Sequence, residues 1–249
     1  MNLDHVVAVR SNKAVYRDGE RAIKVFDADF SKVDVLNEAL NQAKAETIGL
    51  RVPKLIEVTT VDGKWAIVSE FIEGKTLSQL MKEQPEREDE YLARFVKLQM
   101  QIHAASCPML NNLTDKMQRK ISQTRLDATT RYELHTRLAG MERHSKVCHG
   151  DFCPSNVIIT PEDEAYIIDW AHVTQGNAAA DAARTYLVFC LQGNRPLADK
   201  YLSLYCRLSD TARQYVQKWL PIVAASQSVK GKPEEQELLR TWASVVEYQ

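Results

Sequence analysis

Glycine is sparse in this chain. Its nine glycines in 249 residues form neither a Gly-x-x-x-x-Gly-Lys-Ser/Thr loop nor a Gly-x-Gly-x-x-Gly fingerprint, which excludes a P-loop and a dinucleotide-binding turn. No apolar run approaches the ~20 residues that cross a bilayer. Met1-Asn2-Leu3-Asp4-His5 lacks the basic and then apolar character of a secretory signal, so a cytoplasmic location and no membrane partner are expected. The five cysteines are an odd number without paired zinc spacing, and reduced packing thiols are expected. Neither sign of charge is in excess: 32 Lys plus Arg against 33 Asp plus Glu give a net charge of −1, with no nucleic-acid signature. With 45% hydrophobic residues and no internal repeat, the chain can bury a substantial core.

What is present concentrates in one stretch. Val147-Cys148-His149-Gly150-Asp151-Phe152-Cys153-Pro154-Ser155-Asn156 is followed by Tyr166-Ile167-Ile168-Asp169-Trp170. This order of aspartate, asparagine and downstream aspartate is the layout of a phosphoryl-transfer site. Transfer of a γ-phosphoryl group spreads charge over oxygens, so the protein chiefly positions reactants and neutralises charge. A carboxylate at Asp151 could orient the acceptor hydroxyl and take its proton. Mg²⁺ wants hard oxygen ligands, which Asp169 and the amide of Asn156 supply, with ATP phosphates completing the shell. Taken singly, His149-Gly150-Asp151 could be a plain turn, and Asp169 a strand-end residue beside a core Trp170. The combination favours function, because Val157-Ile158-Ile159 and Tyr166-Ile167-Ile168 flank the turn signal Pro161-Glu162-Asp163-Glu164. That hairpin brings Asn156 and Asp169 together.

These motifs resemble the aminoglycoside phosphotransferase and choline kinase family, built on the protein-kinase-like fold. Protein kinases usually carry His-Arg-Asp and Asp-Phe-Gly at the matching places; Gly150 and Trp170 favour the small-molecule branch. The resemblance implies Asp151 as catalytic aspartate and Asn156 and Asp169 as magnesium ligands. It also implies an α+β, two-lobed fold: a small antiparallel sheet with one helix over residues 1–72, and a larger, mostly helical lobe over residues 73–249. His149 and Asp181 would support the catalytic loop, Asp181 bracing it through backbone amides. Asp181 as a simple helix N-cap is the structural alternative, and Asn177 stands where the family carries a further aspartate.

The upstream parts follow from the same resemblance. Val6 to Arg10, Ala14 to Arg17 and Arg21 to Phe26 read as strands, the second pair joined by Asp18-Gly19-Glu20. Lys24 in the third strand would reach the ATP phosphates, paired with Glu38 on a helix from about Val33 to Ile48, with Glu46 as rival acid. Leu55 to Thr60 and Trp65 to Glu70 form a last hairpin. Ser69, Glu70 and Phe71 resemble the family's hinge, where the backbone of Ser69 and Phe71 would pair with adenine. The loop Ser11-Asn12-Lys13 contains no glycine. Ser11 and Asn12, or Lys13, could replace backbone phosphate contacts, though Lys13 could equally be a solvated turn residue.

Beyond the hinge, Glu88 to Ala104 is helical, with His103 at its end read as a packing or capping residue, and Thr114 to His144 holds one or two helices more. Family members build the acceptor pocket largely from the C-terminal helices. From Asp181 onward there are seven acids against nine Lys plus Arg, so the acidic cleft that aminoglycosides call for is not evident, while Trp219, Trp242 or Tyr248 could face a cation such as choline. The expected function is ATP- and Mg-dependent transfer to the hydroxyl of a small molecule, such as an aminoglycoside, choline or amino sugar. The alternatives are a protein Ser/Thr kinase and a nucleotide-binding pseudokinase or interaction module.

Overall fold

The computed structural model describes residues 1–10 and 12–244, so Ser11 and Tyr248 lie outside the described residues. In chain order the strands are β1 His5–Val9, β2 Lys13–Asp18, β3 Arg21–Phe26, β4 Leu55–Val61, β5 Lys64–Glu70, β6 Lys75–Thr76, β7 Lys146–Cys148, β8 Val157–Ile159, β9 Ala165–Ile167 and β10 Thr174–Gly176. The helices are α1 Lys32–Ala45, α2 Leu77–Glu83, α3 Glu88–Ala104, α4 Leu113–Ser122, α5 Ala128–Ala139, α6 Ala178–Leu191, α7 Arg195–Ser209, α8 Arg213–Ser228 and α9 Gln236–Ala243. They form two compact units, one of Met1–Glu88 with Pro154–His172, the other of Asp89–Cys153 with Val173–Gln249.

The first unit is built on an antiparallel sheet in the order β1-β2-β3-β5-β4. Successive side chains on a strand point to opposite faces, and β3 uses both. Ile23 and Val25 pack with Ala66 and Val68 of β5. Phe26 lies on the other face with Val35 and Ala39 of α1. Lys24 is two residues from Phe26, so the pleat turns it to the α1 side. Lys13 pairs directly with Phe26 and Val15 with Lys24, which puts Lys13 on that face as well. Glu38 lies one turn after Val35, on the buried stripe of α1.

The second, smaller sheet of this unit runs β6-β8-β9. Lys75 and Thr76 pair with Ile159 and Ile158, so the residue 72/73 boundary read from sequence falls inside the first unit, which keeps β6 and α2. Thr76 caps α2 through a reciprocal box with Gln79, satisfying backbone donors that the helix start leaves open. Gly74 makes the approach possible: a Cβ there would stand 2.3 Å from the Ile159 carbonyl oxygen, at a φ of 153°.

In the second unit the core is aromatic. Phe95 of α3 stacks on Phe152 with centroids 4.3 Å apart and meets Phe189 and Tyr201 edge-on at 6.0 Å. Helix α6 is buried along almost its whole length, and Ala179, Ala180, Ala182 and Ala183 let neighbours approach it closely. Its start is fixed by Asn177, whose Oδ1 accepts from the Ala179 N–H at 2.9 Å, while its Nδ2 donates to the Tyr215 hydroxyl and the Glu142 carbonyl. Strand β7 enters the catalytic-loop sequence paired with β10. Among the described residues, no helix is long and apolar enough to cross a membrane.

Candidate phosphoryl-transfer site

The first unit gathers four charged side chains from three distant parts of the chain. Lys24 Nζ donates to Glu38 Oε1 at 2.6 Å and to Asp169 Oδ1 at 3.2 Å. Lys13 Nζ lies 3.5 Å from Asp169 Oδ2 and 3.8 Å from Glu38 Oε1. The result is two ammonium groups interleaved with two carboxylates, each side chain no more than 27% exposed. Burial opposes the charge on Lys24, but Asp169 and Glu38 outweigh it and hold the ammonium protonated well above the ordinary lysine range. Glu46, the rival acid, is engaged elsewhere: its Oε1 accepts the Leu55 N–H at 2.7 Å and starts β4.

Asp169 reaches this cluster because the hairpin is tied on both sides. The Ile168 N–H donates to the Asn156 carbonyl at 3.0 Å, so the register of β8 and β9 sets Asn156 beside the residue preceding Asp169. Trp170 is buried and its Nε1 donates to the Ile167 carbonyl at 2.9 Å. Asn41 of α1 donates to the Ala171 carbonyl at 3.0 Å. Asp169 itself has a φ of 63°, a left-handed conformation that aspartate tolerates better than most residues and that clusters at functional positions. Asn156 and Asp169 offer hard oxygens of the kind Mg²⁺ takes alongside phosphates and water. The donor set therefore fits the ion.

The second unit carries Asp151 on a loop braced by Asp181. The Asp181 carboxylate accepts the Gly150 N–H at 2.7 Å, the His149 N–H at 3.2 Å and His103 Nε2 at 3.0 Å. Gly150 supplies the turn, with a φ of 80° that a side chain would resist. Burial works against the Asp181 charge, yet the His103 hydrogen bond and charge, the nearby His149 and the Gly150 amide outweigh it, and its pKa falls below the usual carboxylate range. Asn177, not Asp181, is the helix cap. His103 is more than a packing residue, for Tyr205 meets its Nδ1 at 3.2 Å and fixes the ring against Asp181. His149 is buried, and its Nδ1 accepts the Asp151 N–H at 3.3 Å. Arg184, one turn beyond Asp181, donates from Nη2 to Asp151 Oδ1 at 3.0 Å.

Of the hinge residues, Ser69 is flanked in the sheet by Ala22 and Leu55, and Glu70 ends β5. The Phe71 N–H donates to the Glu20 carbonyl at 2.8 Å, so a base reaching that amide must exchange with this bond. Asn12 accepts the Asp27 N–H through its own carbonyl, which ties its loop to the end of β3. Two site residues were poorly legible in the sequence. Lys13 read equally well as a turn residue, and only the strand register shows its face. Arg184 had a weak signal, a position three residues after Asp181 on a predicted helix.

A sequence model of the phosphotransferase enzyme family matches residues 10–219. No curated protein sequence matches. Among solved structures, aminoglycoside-3'-phosphotransferase of type VIII is 22% identical, with 86% of this chain and 93% of that chain covered and a TM-score of 0.62. Choline kinase LicA from Streptococcus pneumoniae is 17% identical over 95% of this chain and 86% of its own, with a TM-score of 0.62. A thermostable mutant of aminoglycoside phosphotransferase APH(4)-Ia, in ternary complex with AMP-PNP and hygromycin B, is 14% identical over 96% and 89%, with a TM-score of 0.68. At these identities the likeness establishes the fold, which is the two-lobed, protein-kinase-like α+β arrangement expected from the sequence.

Proposed function

The chain belongs to the phosphotransferase enzyme family, and from that premise we propose that it moves the γ-phosphoryl group of ATP to a hydroxyl of a small molecule. The observation that carries this reading is the convergence of Lys24, Glu38 and Asp169 within hydrogen-bonding distance. Lys24 grips the α- and β-phosphates as a point charge, and Glu38 holds its ammonium in place. Lys13, on the same face, adds a second ammonium where the glycine-free loop provides few close backbone amides. Asn156 and Asp169 are the residues that would hold Mg²⁺, which when bound supplies neutralisation of phosphate charge. Ser69, Glu70 and Phe71 border the adenine, with Asn12 at the phosphate end.

Asp151 orients the acceptor hydroxyl. As the acceptor oxygen bonds to phosphorus and the bond from phosphorus to the ADP oxygen breaks, the hydroxyl proton passes to the Asp151 carboxylate and then to water. Asp181, His103 and His149 keep the loop carrying Asp151 in one conformation. A small acceptor is supported by the short path after Asp169: a single turn at Trp170–His172 and the three-residue β10 lead straight to α6, with little chain to form a peptide-binding segment. Asp151→Asn is expected to retain ATP binding by calorimetry and to lower acceptor-dependent ADP release by about 10²–10⁴-fold. Near-normal turnover in that variant would remove Asp151 from the proposed role.

A further inference from the structure

The surroundings of Asp151 are cationic, and one of the cations is incompletely satisfied. Arg184 Nη2 is bound to Asp151, while its Nη1 is buried without a hydrogen-bond partner among the described residues. Buried guanidinium donors normally find an acceptor, so the Nη1 beside Asp151 is a donor that a ligand oxygen could satisfy. Further positive charge converges there. Lys116 and Lys120 occupy successive turns on one side of α4, a helix that packs against α8 and β10, and Lys230 follows α8. Burial first, then the charges of Lys120, Arg184 and Lys230, bring Lys116 down to about 8. Asp181, the acid that opposes this trend, is already engaged by His103, His149 and Gly150.

A second basic feature lies in the same unit. A cavity of about 390 Å³ opens where the ends of α4 and α8 meet, with Arg125, Arg240, Thr124 and Ser228 in its wall and no acidic residue lining it. Val229 and Gly231, the neighbours of Lys230 in the chain, also line it. Two of the aromatics that would serve a cationic ligand are committed elsewhere. Trp219 is buried, and Trp242 stacks on Tyr186, with the Arg195 guanidinium over both rings.

Resting on the phosphoryl-transfer reading above, we propose that the acceptor is anionic: a small hydroxyl compound bearing a carboxylate or phosphate group. Arg184 Nη1 and the ammonium groups of Lys116, Lys120 and Lys230 bind that group, leaving the hydroxyl to Asp151. Polycationic aminoglycosides and choline meet like charge here and are poor ligands.

The test is calorimetry on the full chain saturated with AMP-PNP and Mg²⁺, which fills the nucleotide phosphate site. The probes are glucose 6-phosphate, inorganic phosphate, gluconate, citrate, choline and kanamycin. At least one anion is expected to bind, with affinity falling steeply as salt rises, and the phosphate and carboxylate arms tell which group is preferred. Choline and kanamycin are expected to give no binding heat. The double variant Lys116→Gln/Lys230→Gln is expected to retain AMP-PNP binding and a wild-type circular dichroism spectrum while losing about tenfold or more in anion affinity. Anion binding unchanged in that variant, no anion binding at all, or preferential binding of choline or kanamycin would overturn the proposal while leaving the phosphotransferase reading intact. Failure of the wild type to bind AMP-PNP would overturn both.

Discussion

Replacing Asp181 by asparagine tests whether the loop bearing Asp151 is held by one buried charge. The carboxylate accepts the Gly150 N–H at 2.7 Å, His103 Nε2 at 3.0 Å, the His149 N–H at 3.2 Å and Gln99 Nε2 at 3.4 Å. Asparagine keeps one acceptor oxygen but turns an NH₂ group toward donors, so at least one buried backbone N–H is stranded. A stranded donor costs about 1–3 kcal/mol, and each remaining hydrogen bond to the charged carboxylate, worth about 1.5–3 kcal/mol, is weakened by its loss of charge. Together these costs are expected to total about 3–5 kcal/mol. For a chain of this size each kcal/mol moves Tm by about 2–4 °C, so Tm should fall by roughly 6–20 °C. Melting followed by circular dichroism measures this, and hydrogen exchange over residues 146–152 should show faster opening of the loop. Because the folded pKa of Asp181 is depressed, its contribution is present above the unfolded value of ~3.9 and lost as pH falls through the folded one. The difference between wild type and variant should therefore shrink below about pH 4. A loss under about 1 kcal/mol at neutral pH, with loop exchange unchanged, would refute the reasoning.

Lys24→Met removes one of the two ammonium groups shared by Glu38 and Asp169; ATP affinity measured by calorimetry should drop at least tenfold, and unchanged affinity would remove Lys24 from the phosphate site. Gly74→Ala drives a Cβ against the Ile159 carbonyl and should destabilise the first unit by about 1–3 kcal/mol, read as a lowered denaturation midpoint; a midpoint equal to wild type would show that β6 can shift at no cost. The lowered pKa of Lys116, about 8, means its protonated form opposes folding at neutral pH, and the opposition fades as pH rises from 8 toward the unfolded ~10.4. Lys116→Gln should accordingly raise Tm at pH 7 and lose that advantage by pH 10, whereas an advantage independent of pH would point to packing instead.

The parts of this chain legible in sequence are those whose physics is local. Asp18-Gly19 and Asp62-Gly63 mark hairpins because few residues accept their turn geometry, and Glu88–Ala104 is helical by its own periodicity. The Asp151, Asn156 and Asp169 set is legible because one loop and one hairpin contain it. The rest depended on distant partners. Strand β6 is two residues long and exists only because Ile158 and Ile159 pair with it. Strands β7 and β10 are three residues each and define one another. Glu38 and Glu46 are chemically identical, one on α1 and one just past its end, and only their distant partners, Lys24 for Glu38 and the Leu55 amide for Glu46, separate them. Arg184 carries no motif; its relation to Asp151 arises from the turn that Asp181 braces.

The split make-up of the first unit bears on how the chain is born. Residues 1–88 emerge from the ribosome carrying Lys24 and Glu38, but Pro154–His172, which completes that unit, follows only after residues 89–153 have been made. At synthesis rates of about 5–20 residues per second the wait is roughly 4–16 s. During it Lys75 and Thr76 have no strand to pair with, and the Lys24 ammonium lacks the Asp169 carboxylate. The nascent chain thus carries the β6-β8-β9 sheet unfinished while residues 89–153 are made. It is in this interval that pairing with neighbouring chains and capture by chaperones compete with correct closure.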